Sequence, residues 1–182
     1  MKSAASEATP ACVVLVGNPN VGKSVLFNRL TGRYVVVSNY PGTTVEVARG
    51  QARIGQHACE VIDTPGMYSL TPITEEERVA RAVLLREQPD VVVHVVDAKN
   101  LNRMLALTLQ LLEAGLPVIL LLNMMDEAER LHLRIEHHVL AKRLGIPVIP
   151  ASLVSGRGFE ELKNVISEYL SCRQNHHLPP AD

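Results

Sequence analysis

The chain reads as an α/β protein: a three-layer domain with a mostly parallel, six-stranded sheet and one antiparallel edge strand. Three observations predict this. Strand-like and helix-like segments alternate along most of the chain, the order of a layered α/β domain. The apolar runs Val91-Val92-Val93-His94-Val95-Val96 and Val118-Ile119-Leu120-Leu121-Leu122 are continuous, as strands covered on both faces are. Finally, the glycine-bounded loop Gly17-Asn18-Pro19-Asn20-Val21-Gly22-Lys23-Ser24 joins an apolar run to a helical one, the setting of a phosphate loop.

Each element has its own signal. A first strand near 12–16 (Cys12-Val13-Val14-Leu15-Val16) precedes the loop, and a helix near 23–31 follows it. Segments 46–54 and 57–63 are separated only by Gly55-Gln56, which suits a hairpin and supplies the antiparallel edge. Thr74 followed by Glu75-Glu76-Glu77 is a capped helix start, with Thr74 and Glu77 as a capping box for a helix near 75–87. The first continuous run makes a strand near 90–96. Met104, Leu105, Leu109 and Leu112 stand at helical spacing, so 101–114 is a helix with those residues in the core. The second run makes a strand near 117–123, followed by a helix near 135–144, a strand near 147–150 and a helix near 158–171. Residues 1–10 read as a loose leader, 11–172 as the domain and 173–182 as a frayed tail.

Composition narrows the class. In 182 residues, 47% are hydrophobic, enough for one domain with a real core. A net charge of −1 makes no electrostatic case for nucleic acid. Leu116 to Leu122, like Val91 to Val96, is far shorter than the roughly 20 residues that cross a bilayer. Met1 to Thr9 has no apolar segment of the signal-peptide kind. Cys12, Cys59 and Cys172 read as reduced, mostly buried thiols of a cytosolic protein. The His137-His138 and His176-His177 pairs lack further ligands at sensible spacing and read as solvent-facing.

Four loops carry the chemistry, and in a parallel sheet they converge at the carboxyl ends of the strands. In the phosphate loop, backbone N–H groups and the following helix N-terminus supply donors, and Gly22 allows close approach. Lys23 would reach the β- and γ-phosphates and the Ser24 hydroxyl would ligate Mg²⁺. In Asp63-Thr64-Pro65-Gly66 the aspartate suits Mg²⁺ held through water, and the Gly66 N–H suits the γ-phosphate. Asn123-Met124-Met125-Asp126 ends a strand. A carboxylate there accepts both N1–H and N2–H₂ of guanine, which adenine cannot offer, and Asn123 would brace the neighbouring loops. Met124 stands where a lysine is usual, and its thioether can cover a purine face. Ala151-Ser152-Leu153 either backs the base with a backbone N–H or is a plain loop of small residues. Residues 33–45, with Asn39-Tyr40-Pro41-Gly42-Thr43-Thr44, suit a segment ordered by γ-phosphate and Mg²⁺. Thr44 is the expected Mg²⁺ ligand from it, ahead of Thr43.

These stretches resemble the cytosolic G domain of the ferrous iron transport protein B family, in the TrmE/Era-like branch of Ras-like P-loop GTPases. The resemblance runs over roughly residues 12–170. It is carried by Gly17 to Gly32, Asn39 to Glu46, Asp63 to Leu70, Pro89 to Ala98 and Leu109 to Ala128. Ser24, Tyr40 and Leu153 depart from the family's usual threonine, tryptophan and alanine. The resemblance implies a GTPase that binds GTP and GDP with Mg²⁺ and regulates ferrous iron uptake by a membrane transporter domain, at the cytoplasmic face of the inner membrane. Self-association stays open.

Met67 follows Gly66 where many GTPases carry a glutamine that orients water, and a methionine cannot do that. Arg33 and Arg49 flank the 33–45 segment and read as solvated surface more than as an arginine finger. The resemblance implies K⁺ as the substitute charge, ligated by Asn20; the other role for Asn20 is hydrogen bonding within the loop. Nucleotide contacts are expected from Gly17, Asn18, Pro19, Asn20, Val21, Gly22, Lys23, Ser24 and Val25, then Gly42, Thr43, Thr44, Asp63 and Gly66, then Asn123, Met124, Asp126, Ser152 and Leu153. Asn20, Lys23, Thr44 and Gly66 are the expected catalytic set. Other readings are a soluble Era- or TrmE-like GTPase of ribosome or tRNA maturation, and a nucleotide-dependent docking module.

Overall fold

The computed structural model describes residues 9–32 and 34–174. Its strands are β1 (Ala11–Val16), β2 (Val35–Asn39), β3 (Glu46–Ile54), β4 (His57–Asp63), β5 (Val91–Asp97), β6 (Val118–Asn123) and β7 (Val148–Pro150). Its helices are α1 (Lys23–Leu30), α2 (Glu75–Arg86), α3 (Leu101–Glu113), α4 (Met125–Arg130), α5 (His137–Leu144) and α6 (Phe159–Gln174). The strands form one sheet in the order β2-β3-β4-β1-β5-β6-β7. All pairings from β4 through β7 are parallel, while β3 is antiparallel to both its neighbours.

Side-chain alternation along β1 assigns the layers. Val13 and Leu15 pack with Leu26, Phe27 and Leu30 of α1 and Leu162, Ile166 and Leu170 of α6. Val14 and Val16 face the other way, onto Val79, Val83 and Leu84 of α2 and Leu107 and Leu111 of α3. Each such burial contributes about 1.5–3 kcal/mol, so a one-residue slip of β1 would forfeit both layers together. Every residue of β5 and β6 is buried, as their unbroken apolar runs predict.

Four expectations change. The sheet has seven strands, not six, because β2 lies inside the segment read as a loop. All five β2 residues are exposed, so neither face leaves a periodic apolar mark. The antiparallel strand β3 therefore sits one place in from the edge, with β2 outside it. Helix α4, six residues long, had no pattern to reveal it and starts directly after the Asn123-Met124 turn. On α3 the buried residues are Met104, Leu107, Thr108 and Leu111, whereas Leu109 is exposed. Apolar residues at Leu101, Met104 to Leu107, Leu109, Leu111 and Leu112 cover more than one face of that helix, so spacing alone could not set its phase. Polar partners do: Thr108 bonds His94 at 3.0 Å, and Gln110 accepts from the backbone of Leu70 at 2.7 Å.

The hairpin turns at Gly55, whose φ of 59° suits glycine. The capping box is present, Thr74 Oγ1 accepting from Glu77 N at 3.2 Å. Arg49 neither swings freely in solvent nor points at the phosphate loop: it bridges Glu60 of β4 and Glu87 at the end of α2. Arg33 and the His176-His177 pair lie outside the described residues. His137 and His138 are in contact, with ring centroids 3.9 Å apart, and His138 is exposed. Burial holds Cys12 up at about 12 and Cys59 at about 11, so both thiols stay protonated and unreactive; Cys172 is exposed. His94 is completely buried, and desolvation pushes it down to about 3, so it is neutral in the fold. An unfolded histidine gains its proton near pH 6.5, so His94 favours unfolding as the pH falls below that value.

Candidate nucleotide-binding site

Three motif loops meet at the carboxyl ends of β1, β4 and β6. Gly22 caps α1 in a left-handed conformation (φ 103°) and brings no side chain, so among the described residues no side-chain cap accepts from the first N–H groups of α1. Those donors and the positive helix end are left for an anion. Lys23 is only 8% exposed, and its Nζ donates to the carbonyls of Gly17 and Asn18 at 3.2 Å each. Burial lowers its pKa, and the carboxylate of Asp63 pulls it back up. Asn18 is half-buried, Pro19 is exposed, and Val25 is exposed on the first turn of α1. Asn20 takes a φ of 63°, and among the described residues its carboxamide makes no hydrogen bond. The loop-internal role for Asn20 therefore has no bond behind it.

The Asp63 loop touches the phosphate loop directly. Ser24 Oγ donates to Asp63 Oδ2 at 3.1 Å. Asp63 Oδ1 is buried with no partner among the described residues, and burial raises the carboxyl's pKa. A buried carboxylate oxygen beside a serine hydroxyl is a donor set that fits a hard divalent cation. Gly66 packs against Pro19: a Cβ there would come within 2.6 Å of the proline ring. Met67 N donates to Gly17 O at 3.1 Å, while the Met67 side chain is wholly buried in the α2–α3 layer. It therefore cannot face a water at the phosphates. The strap that follows is held by two polar side chains. Gln110 accepts from Leu70 N and Ser69 Oγ, and Glu77 accepts from Tyr68 N, Ile73 N and Thr74 N. Those backbone donors, led by Ile73, hold the Glu77 carboxyl below the usual carboxylate range. The capping-box spacing announces Glu77 but not this second duty toward Tyr68.

Thr44 is not gathered into this cluster. Residues 40–45 close a turn in which Thr43 Oγ1 donates to Tyr40 O at 2.9 Å and accepts from Val45 N at 3.2 Å. Gly42 takes a φ of 77° in that turn. Thr44 is exposed, and among the described residues its hydroxyl has no partner. Arg86 of α2 donates to the Tyr40 hydroxyl at 3.0 Å.

Asn123 is the joint between the phosphate loop and the base loop. Its Nδ2 donates to Val21 O at 2.9 Å and its Oδ1 accepts from Leu153 N at 3.0 Å. A Cβ on Gly22 would come within 2.3 Å of that same Nδ2, so the loop fits only around glycine. Met124 turns the chain with a φ of 62°. Asp126 then sits in the first turn of α4, its N–H donating to Ser152 Oγ at 3.1 Å. The hydroxyl of Ser152 and the guanidinium of Arg130, 2.7 Å from Oδ2, hold the Asp126 carboxyl below its usual range. Ser152 and Leu153 are thus tied to the base loop, beyond what a plain loop of small residues requires. Sequence reasoning missed Arg130, whose signal was the ordinary four-residue helical spacing to Asp126. It also missed Lys99, which bonds Glu127.

This fold and these loops define a G domain, a GTPase of the P-loop class. A family model described as ferrous iron transport protein B matches residues 11–166. The Fe(2+) transporter FeoB of Escherichia coli K12 is 48% identical over 159 residues, covering 85% of this chain and 21% of its own length. The G domain of the T. maritima FeoB iron transporter superposes with a TM-score of 0.82 at 42% identity, covering 89% of this chain and 99% of that one. The T. maritima cytosolic domain in its GMPPNP form gives 0.83 at 43% identity, over 87% of this chain and 63% of the other. The chain belongs to the ferrous iron transport protein B family, as its G domain. That membership sets aside the soluble Era- or TrmE-like reading. The chain spans about a fifth of the length of the curated relatives it matches. Among the described residues no helix is long and apolar enough to cross a membrane.

Proposed function

We propose that this domain binds GTP with Mg²⁺, hydrolyses it slowly to GDP and phosphate, and uses the cycle to regulate ferrous iron uptake by the transporter portion of a longer protein, from the cytoplasmic face of the membrane. The observation that supports it most is the Asn123 joint. One side chain bonds both the phosphate loop and the base loop, so phosphate and guanine contacts are held at a fixed separation.

In this reading the α1 N-terminus and the backbone from Gly17 to Val25 cradle the phosphates, and Lys23 leaves its two carbonyls to offset their charge. Ser24 and Asp63 would hold Mg²⁺, which supplies charge neutralisation across the β- and γ-phosphates. Gly66 turns its N–H to the γ-phosphate. Backbone groups position the attacking water, since Met67 is committed to the core. Asp126 selects guanine, Met124 covers its face, and Leu153 N–H, already on Asn123, fixes the loop behind it. The GMPPNP form of the T. maritima cytosolic domain accords with nucleotide at such a site. The direct test is phosphate release by the purified chain with Mg²⁺. GTP should turn over at roughly 10⁻⁴ to 10⁻³ per second without an activating cation, and ATP should not turn over measurably. Equal turnover of ATP would overturn the reading.

Thr44 supplies the switch. It is the one threonine of its turn whose hydroxyl is uncommitted, Thr43 being used to close the turn. Joining Mg²⁺ only when a γ-phosphate is present would order residues 33–45. Limited proteolysis should therefore cut that segment readily with GDP and poorly with a GTP analogue. Thr44→Ala should erase the contrast and keep GDP binding. Identical cleavage in both states of the unmutated chain would remove the switch from this segment.

A further inference from the structure

We infer that Lys99 is a positioning residue for guanine selection, acting on Asp126 through Glu127; the inference rests on the base-loop reading above. Three acids crowd this corner of the domain: Asp97 at the end of β5, and Asp126 and Glu127 in the first turn of α4. The β5 and β6 ends are paired in register, Asp97 opposite Asn123, so the turn after β5 lies beside the base loop. Met124 brings no charge to it. Lys99 does, from the neighbouring turn. Its ammonium bonds Glu127 Oε2 and lies 3.8 Å from Asp97 Oδ2. Asp97 is itself fixed, accepting from Lys99 N and Asn100 Nδ2 at 2.9 Å each.

The helix being held is short: Met125 and Ala128 anchor it to the core and Arg157 pairs with Glu129, while the carboxylates of its first turn depend on fewer partners. Helix α4 has six residues and no side-chain cap at its start, and an isolated helix of that length does not persist. Outside α4 itself, its first turn has two side-chain attachments: Ser152, which accepts from Asp126 N–H, and Lys99, which donates to the Glu127 carboxylate. Without Lys99, like charges on Asp97, Glu127 and Asp126 face one another across a gap with no counter-charge from the β5 side. Arg130 lies one turn further along α4 and bonds only Asp126. The expected result is a helix start that shifts or frays, and a carboxylate that no longer meets both guanine donors.

Lys99→Met tests this with two nucleotides. Inosine diphosphate keeps N1–H but lacks the 2-amino group, so Asp126 can make only one of its two bonds to it. If Lys99 positions Asp126, Lys99→Met should weaken GDP binding about 5- to 10-fold and inosine diphosphate binding less than about twofold, a coupling of ordinary size. Lys99→Arg should restore GDP affinity. Adding Glu127→Gln to Lys99→Met should cause no further loss, because the tether is already gone. Equal weakening toward both nucleotides, or unchanged GDP affinity, would overturn the inference and leave Lys99 a surface ion pair. Failure of the base-loop reading shows separately: Asp126→Asn would then keep its preference for guanine, whatever Lys99→Met does.

Discussion

Asp126→Asn is expected to exchange one purine for another. The carboxylate accepts from N1–H and N2–H₂ of guanine; an asparagine amide turns a donor toward one of them, whereas xanthine offers a carbonyl at that place. GTP affinity should fall by roughly 100-fold or more, since a site built around two hydrogen bonds rejects a partner that leaves its donors unmatched. Xanthosine triphosphate affinity should rise. The variant isolates recognition from folding, because the Asp126 N–H that bonds Ser152 is backbone and survives the change. The lost Arg130 pair is exposed and contributes little to stability. Measured by competition against a fluorescent nucleotide, unchanged GTP affinity would take Asp126 out of the site.

The second large effect concerns the cation. Met67 is buried in the core and Arg49 is held between two glutamates, so among the described residues neither serves as the usual catalytic device. An unaided G domain turns over at roughly 10⁻⁴ to 10⁻³ per second, and a finger charge adds about 10³ to 10⁵. A monovalent cation beside the phosphates supplies part of the same electrostatic term, and a site of fixed size distinguishes potassium from sodium. Asn20 is exposed on the phosphate loop with its carboxamide free among the described residues, which suits it as the oxygen ligand. GTP hydrolysis should run about tenfold or more faster in potassium chloride than in sodium chloride at matched ionic strength. Asn20→Ala should remove most of that gain with little loss of nucleotide binding. Because Asn20 sits at a φ of 63°, where alanine is strained and glycine is not, Asn20→Gly belongs beside it. Loss of the potassium response in both variants assigns it to the side chain. Loss in alanine alone assigns it to the backbone, and equal rates in the two salts sink the idea.

What could be read from the chain was what is local. Gly17 to Ser24, Asp63 to Gly66 and Asn123 to Asp126 are short motifs whose meaning lies in spacings of a few residues. The strands that carry them are marked by unbroken apolar runs. What escaped depends on partners far along the chain. That Asn123 braces its neighbours was legible from its motif, but its partners, Val21 at 102 residues and Leu153 at 30, were not. Lys99 and Glu127 are 28 apart, and each alone is an ordinary surface charge. β2 escaped because it buries no face, and α4 because six residues hold too little periodicity. The phase of α3 was decided by Thr108 and Gln110, two of its polar residues. Their partners, His94 and Leu70, become visible only when the layers are assembled.

The all-exposed β2 has a consequence for how the sheet comes apart. Each of the inner strands is nailed down by side chains on two layers, so removing one means opening the core. β2 is attached to β3 by its ladder from Val35–Gly50 to Asn39–Glu46, with no residue of its own buried. Peeling it away surrenders backbone bonds that water replaces and leaves both hydrophobic layers intact, so this border unzips at the lowest cost in the sheet. Because Thr44 lies in the link between β2 and β3, loosening of that link would travel straight into this seam. With Thr44 as the proposed switch, the width of the sheet, six strands or seven, would be set at the point where the domain reads its ligand.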